Sequence, residues 1–339
     1  LESPLGWISR DHRKLLVVDG EVGFVSGLCV AQMWVGDPAK QIQPWRDTGV
    51  EIRGPAVGDL ERSFAHIWAT LGTPLPDDAL PPESEAPRVG DVSVRVVASE
   101  PSTSGTFRLD QLVVTFARQR VWLTDAYYLG APTYVQALIT SARDGVDVRM
   151  LLPRATDLPL LKVMSRVGYR PLLEAGVRIF EWNGSVLHAK TAVVDGRWSR
   201  VGSTNLNFAS WMGNCELDAV MEDEGFAKEM EAMYLEDLKN ATEVVLEAKR
   251  KVRAHDAGAK RPHGRSKGSA GRAAAGAMRF GHTLGAALTN RRVIEPVEKR
   301  LLVGIGLILL ALAALFVVFP RALAYPVGLI LIWFALAMI

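Results

Sequence analysis

Two stretches of this chain carry the same pattern of polar and apolar residues, and no other feature restricts its fold as much. The second stretch covers residues 187–207, LHAKTAVVDGRWSRVGSTNLN, with His188, Lys190 and Asp195 followed by Gly202, Ser203 and Asn205. The first lies 176 residues upstream. There His12, Lys14, Asp19 and Gly20 match His188, Lys190, Asp195 and Gly196, and Val17 and Val18 match Val193 and Val194. A repeat that keeps polar residues in step with core residues makes each copy half of one site.

The run AVVD after Lys190 is apolar and β-branched, so residues 187–194 read as a strand. Side chains alternate along a strand, which puts His188 and Lys190 on one face. An imidazole beside an ammonium suits an anion that must also be attacked or protonated. Asp195 and Gly196 end the strand in a turn. Gly202-Ser203-Thr204-Asn205 then offers a tight backbone, a hydroxyl and an amide as donors to phosphate oxygens. One copy alone is also compatible with an ordinary strand pair bearing a surface His and Lys. Two copies at one spacing weigh against that.

The doubled H-x-K-x4-D pattern, with G-S-T-N after the second copy, resembles the phospholipase D superfamily. Within it, residues 8–245 are most similar to the bacterial cardiolipin synthases. In the first copy Ser26-Gly27-Leu28-Cys29 stands where Gly202-Ser203-Thr204-Asn205 stands, so Cys29 replaces the amide. The resemblance implies an α/β fold, a pseudo-twofold pair of mixed-sheet α-β-α half-domains. It implies a catalytic set of His12, Lys14, Asp19, His188, Lys190 and Asp195, in which the two aspartates read as strand-end structural residues rather than proton carriers. His12 would attack phosphorus to give a phosphohistidine, while His188 protonates the leaving glycerol and then deprotonates the acceptor. Lys14, Lys190, Asn205 and Ser203 would contact the phosphate. Glu216, 28 residues after His188, matches an acid that hydrogen-bonds the active-site histidine, and Asp47, 35 after His12, is its counterpart. A carboxylate there fixes the imidazole tautomer and stabilises its charged form. Tyr127 and Tyr128 match an aromatic pair at the sheet end where α/β sites open. Two His-Lys pairs supply nucleophile, acid and cations without a metal, and no cofactor is called for.

The implied reaction is phosphatidyl transfer between two anionic phosphatidylglycerol molecules, giving cardiolipin and glycerol. Hydrolysis by a phospholipase D or a nuclease is one alternative, and a non-catalytic membrane scaffold is another. Charge bears on the nuclease. Residues 249–300 hold 14 Lys and Arg against 3 acids, a net +11, while the whole chain is +2, so the remainder carries −9. An acidic catalytic part argues against nucleic acid as partner. The two cysteines, Cys29 and Cys215, suggest no disulfide framework and fit a reducing compartment.

In order, residues 1–72 read as the C-terminal part of a first half. Two strands lie in 8–30, a strand surrounds Val50-Glu51-Ile52, and an amphipathic helix covers 57–71 with Leu60, Phe64, Ile67, Trp68 and Leu71 on its stripe. His66 falls off that stripe and reads as a surface residue. His12 has only eleven residues before it, whereas His188 has roughly 95 of its own half, so the start of the first half is expected to lie outside this chain. Residues 73–91, rich in Pro and acids, read as a linker. The second half, 92–248, alternates strands near 93–98, 120–124, 146–152 and 177–182 with helices at 107–118, 132–143 and 158–175, and adds an amphipathic helix at 226–239. Residues 249–300 read as a largely disordered basic linker. Residues 301–319 and 322–339 are uncharged and each approaches the length needed for a bilayer core of about 30 Å, so they read as a transmembrane helical hairpin. The basic flank places the catalytic part on the cytoplasmic side of the cytoplasmic membrane, beside anionic lipid. The sequence leaves the oligomeric state open.

Overall fold

A computed structural model of the protein describes residues 9–76, 79, 80, 87–246, 292–294 and ten scattered positions between Leu307 and Trp333. The first half contributes β1 (Leu15–Val18), β2 (Val22–Ser26), a one-turn helix α1 (Gln32–Val35), β3 (Gly49–Arg53) and the long helix α2 (Ala56–Leu71). The second half opens with β4 (Ser93–Ser99), α3 (Gly105–Phe116), β5 (Arg120–Thr124), α4 (Pro132–Arg143) and β6 (Asp147–Pro153). It continues with α5 (Pro159–Val167), α6 (Tyr169–Ala175), β7 (Arg178–Trp182), β8 (Thr191–Val194), β9 (Trp198–Gly202), β10 (Glu216–Glu222), α7 (Glu224–Lys239) and β11 (Ala241–Leu246). A short strand, β12 (Arg292–Ile294), follows.

Among the described residues these strands form two sheets. One is the antiparallel meander β1-β2-β3, and the other runs β12-β11-β7-β6-β5-β8-β9-β10-β4. The pairs β5-β6 and β6-β7 are parallel, as strand-helix-strand units require, and β8, β9, β10 and β4 continue the sheet antiparallel. The central strands are buried along almost their whole length, so they do not alternate between buried and exposed residues, and β9 buries Ser199 and Arg200 beside Val201.

The repeated Asp-Gly dipeptides are hairpin turns. Asp19 and Gly20 have φ of 54° and 67°, and Asp195 and Gly196 have φ of 53° and 65°. Glu21 N donates to Val18 O at 3.1 Å, and Arg197 N donates to Val194 O at 3.2 Å, which closes each turn. Two successive positive φ values suit the right-handed twist of a tight hairpin, and Asp followed by Gly is the pair that tolerates them.

One core serves both sheets. Val25, Ile52, Val57 and Leu60 of the first half pack in the same cluster as Val201, Leu217, Ala219, Met221 and Tyr234 of the second. Arg46, between β2 and β3, forms a two-pronged ion pair with Asp237 of α7 at 2.9 and 2.8 Å. Residues Leu1–Val293 constitute one compact unit and Ile294–Ile339 a second.

Several elements differ from the sequence expectation. The helix expected over 158–175 is two helices meeting at Gly168. The motif strand begins only at Thr191, so His188 and Lys190 precede it. The helix at 56–71 buries Leu60 and Ile67 but leaves Phe64, Trp68 and Leu71 exposed, with the Phe64 and Trp68 rings stacked at 5.7 Å. His66 is exposed and pairs with Glu100 at 2.9 Å. The strands β10 and β11 have no counterpart in the expectation. The second unit is helical at its described positions from Leu307 to Trp333, and among the described residues no helix is long and apolar enough to cross a membrane. The expected hairpin at 301–339 and the basic linker at 249–300 lie mostly outside the described residues.

Candidate active site

The two motif copies meet through exchanged backbone partners. His12 N donates to Cys215 O at 2.9 Å, beside Glu216, and His188 N donates to Arg46 O at 2.7 Å, beside Asp47. Each histidine therefore lies against the acid of the opposite half. The side chains complete the exchange. His12 Nδ1 is 2.9 Å from Glu216 Oε2, and His188 Nδ1 is 2.8 Å from Asp47 Oδ2. Sequence spacing counted each acid from the histidine of its own half, and the structure crosses them. The reason is tertiary: β10 leads Glu216 alongside the entry to the first motif, and the β2–β3 segment leads Asp47 alongside the entry to the second.

With Nδ1 given to a carboxylate, each imidazole keeps Nε2 for chemistry. Lys190 Nζ also approaches His188 Nδ1, at 2.9 Å. One nitrogen cannot donate to Asp47 and accept from an ammonium at once, so the Lys190 contact there is one of charge. The hydrogen bond from Lys190 goes to His188 O, and that from Lys14 goes to His12 O. These bonds keep both ammoniums next to their histidines although neither pair lies on a strand. Lys14 and Lys190 are within electrostatic reach of each other and of both Asp47 and Glu216. The four groups thus form one charge cluster.

Burial sets the electrostatics. It draws Lys190 down to about 8 against the opposing pull of Asp47 and Asp125, and it lowers Lys14 as well. It also lowers His188, more strongly than the hydrogen bond to Asp47 raises it. Asp47 is below the usual carboxylate range: burial raises it, but the His188 hydrogen bond, the Lys190 charge and the Trp34 hydrogen bond together outweigh that. The two imidazoles differ in access. The His12 side chain is 24% exposed and that of His188 only 5%.

The acids are fastened differently. Glu216 Oε2 accepts from Ser203 Oγ at 2.6 Å, and Ser203 Oγ in turn accepts from Leu217 N at 2.9 Å. The Ser203 hydroxyl is thereby spent on Glu216 rather than held open for phosphate. Asp47 accepts from Trp34 Nε1 at 2.8 Å and from Thr48 N at 2.9 Å. Gly27, which stands where Ser203 stands in the second copy, has no room for a side chain: an added Cβ would lie 2.4 Å from Asp47 Oδ1.

Asn205 is buried. Its Nδ2 reaches Ser210 Oγ at 3.4 Å, and its Oδ1 has no hydrogen-bond partner among the described residues. Cys29 is half-buried and within electrostatic reach of Lys14 and Tyr127. Asp195 is not brought to the site. Its carboxylate accepts from the backbone N–H groups of Arg118, Gln119 and Arg120 at 2.8 to 2.9 Å, so it ties the hairpin turn to the α3–β5 connection. Asp19 occupies the matching turn of the first copy.

Three aromatic rings surround His188: Trp34 at 5.1 Å, Trp45 at 5.6 Å and Tyr127 at 5.7 Å between centroids. Tyr127 also bonds Asp157 at 2.8 Å, whereas Tyr128 is buried in the core. The tyrosine pair therefore divides, one to the site and one to packing. Neither tryptophan was singled out for the site from sequence, although Trp45 adjoins Arg46-Asp47. Asp125 was also missed. It is buried, accepts from Leu206 N and Tyr127 N, and burial pushes it up to about 7 beside Lys190.

A family model described as cardiolipin synthase, phospholipase D-like domain, matches residues 114–238. Cardiolipin synthase A of Pseudomonas aeruginosa is 38% identical over 248 residues, which is 72% of this chain and 49% of that protein. Cardiolipin synthase A of Pseudomonas fluorescens is 36% identical over 258 residues, covering 73% of this chain and 53% of that one. The chain thus spans about half the length of these curated relatives. Among solved structures, the phosphatidylserine synthase of Haemophilus influenzae superposes with a TM-score of 0.55 at 11% identity, over 70% of this chain and 64% of that one. That likeness is one of fold.

Proposed function

Because the chain belongs to the phospholipase D superfamily and is similar to its cardiolipin synthases, we propose that it is a phosphatidyl transferase making cardiolipin from two phosphatidylglycerol molecules. The observation that carries this reading is the crossed pairing, in which Glu216 holds His12 and Asp47 holds His188. Crossed partners bring two acid-supported imidazoles and two ammoniums to one place, as in-line displacement at a single phosphorus needs.

In the first step His12 Nε2 attacks phosphorus, the bond to the glycerol oxygen breaks, and His188 passes its proton to that oxygen. In the second step the hydroxyl of another phosphatidylglycerol gives its proton to His188 and attacks phosphorus, and the bond to His12 breaks. His12 fits the nucleophile as the more accessible ring. His188 fits the proton carrier, since Asp47 supports the charged ring that enters the first step while burial favours release of its proton. Lys14 and Lys190 balance charge on the equatorial oxygens, with Asn205 as a further donor. Glu216 and Asp47 fix the tautomers, and Asp19 and Asp195 shape the turns that follow the motifs.

The reading includes a membrane. The +11 of residues 249–300 and the apolar runs 301–319 and 322–339 support a tether that keeps the enzyme in the plane of its anionic substrate, on the cytoplasmic side.

The test is a product assay with labelled phosphatidylglycerol. Cardiolipin and glycerol are expected in equimolar amounts, and His12→Ala or His188→Ala should each reduce the rate by about a thousandfold or more. With the label on phosphorus, quenching in alkaline denaturant should leave it on His12, since a phosphohistidine withstands base but not acid. Phosphatidic acid as the product would replace transfer with hydrolysis, and unchanged lipid would replace both with a scaffold role.

A further inference from the structure

The two acids of the site occupy matching places, and each carries a neutral donor besides its histidine. For Glu216 the donor is the hydroxyl of Ser203, the residue that directly follows β9. For Asp47 that hydroxyl is missing, because Gly27 stands at the corresponding position. A side chain there would collide with Asp47. The indole N–H of Trp34 takes over instead, and it binds the same oxygen, Oδ2, that faces His188 Nδ1. The Trp34 ring also stands edge-on to the His188 ring, with an interplanar angle of 88°. Its place is braced by Trp45, 4.8 Å away, whose backbone N donates to Met33 O at 2.9 Å.

The geometry points to Trp34 as a positioning residue for His188, acting through the carboxylate of Asp47. A donor on Oδ2 shares that oxygen's lone-pair density with His188. Trp34 therefore fixes where the carboxylate lies and limits how strongly it can hold a proton on the imidazole. The groups facing His188 are few. Asp47 and the two tryptophans come from the β2–β3 segment, Lys190 from its own motif, Lys14 from the first motif, and Tyr127, bonded to Asp157, from the end of β5. Among these, only the indole N–H of Trp34 donates to Asp47 without carrying charge.

The role in turnover rests on the proposed transferase reading, whereas the effect on His188 does not. The test is Trp34→Phe in the full chain, which keeps an aromatic ring and removes the N–H. The His188 imidazole, followed by NMR, should titrate higher by roughly half a unit. The pH profile of kcat should move with it, and KM for phosphatidylglycerol vesicles should change by less than about twofold. Trp34→Ala should add a loss of kcat beyond the shift. A folded Trp34→Phe protein whose His188 titration is unmoved would overturn the proposal. Wild-type protein gives an independent check in case the variant does not fold. There the Trp34 Nε1–H resonance should follow the His188 titration, and an indole signal indifferent to it would likewise overturn the proposal. If the indole follows His188 in protein that forms no cardiolipin, the positioning role stands and the transferase reading fails.

Discussion

Lys190 carries an ammonium into a place where burial opposes its charge, and only neighbouring carboxylates keep it protonated. A lysine lowered to about 8 loses its charge as pH rises through that value, well before an ordinary lysine does. The proposed reaction needs that charge on the phosphate, so the rate should fall on the alkaline side from about pH 8. Lys190→Arg keeps a charge that does not titrate in this range. It should therefore remove the part of the alkaline fall that begins near pH 8 while lowering kcat by about tenfold or more through altered geometry, and a pH profile of initial rates for the two proteins checks both effects. At this scale the His-Lys pairs were legible because the repeat printed them twice. Their acids were found but not their partners, since a sequence gives spacing along the chain and the crossing is made between halves. Trp34 carried no signal: the glycine that creates the need for it lies seven residues away, and its meaning depends on Asp47 filling the space.

The Asp-Gly turns show how an element can hold a motif residue in place for reasons unrelated to chemistry. Asp195 adopts a positive φ and offers both carboxylate oxygens to three backbone N–H groups at the start of β5. Asp195→Ala should lower stability by about 1–3 kcal/mol, with allowance for the partial exposure of those bonds. Activity per folded molecule should stay within a few-fold, and chemical denaturation run beside the product assay separates the two effects. The same physics explains what the sequence reading missed. In β10 Leu217, Ala219 and Met221 alternate with Glu216, Asp218 and Val220, and acids alternating with apolar residues look like a solvated face. Here that face is buried: Glu216 meets His12, and Asp218 meets Thr204 and Arg200. Helix α2 erred the other way, because a periodic stripe shows where apolar residues lie and not how far the covering surface extends. The break at Gly168 is local, a glycine ending one helix where the periodicity ran on into the next.

The molecule as a whole joins its halves at the place where it arranges its site. Arg46 lies between Trp45, which flanks His188, and Asp47, which bonds it. Its guanidinium reaches across to Asp237 of α7, while its backbone pairs with residues 186 and 188. A two-pronged ion pair that is mostly removed from water is stiffer than a surface pair, because both partners are fixed by the core they touch. The shared core, with Leu60 and Ile52 beside Leu217 and Met221, gives the halves cohesion without direction. Directional bonds such as Arg46–Asp237 then set the register that aligns Asp47 with His188. If so, Arg46→Ala and Asp237→Ala should each lose both stability and kcat, and a double-mutant cycle should return a coupling of about 1–3 kcal/mol in stability. The kinetic half of that cycle is the discriminating one. Each single variant should shift kcat with little change in KM, and the double variant should be no worse than the poorer single, because register is lost once. Losses in kcat that simply multiply would mean that Arg46 and Asp237 act on the site separately, and the alignment of Asp47 would then have to come from the packed core alone.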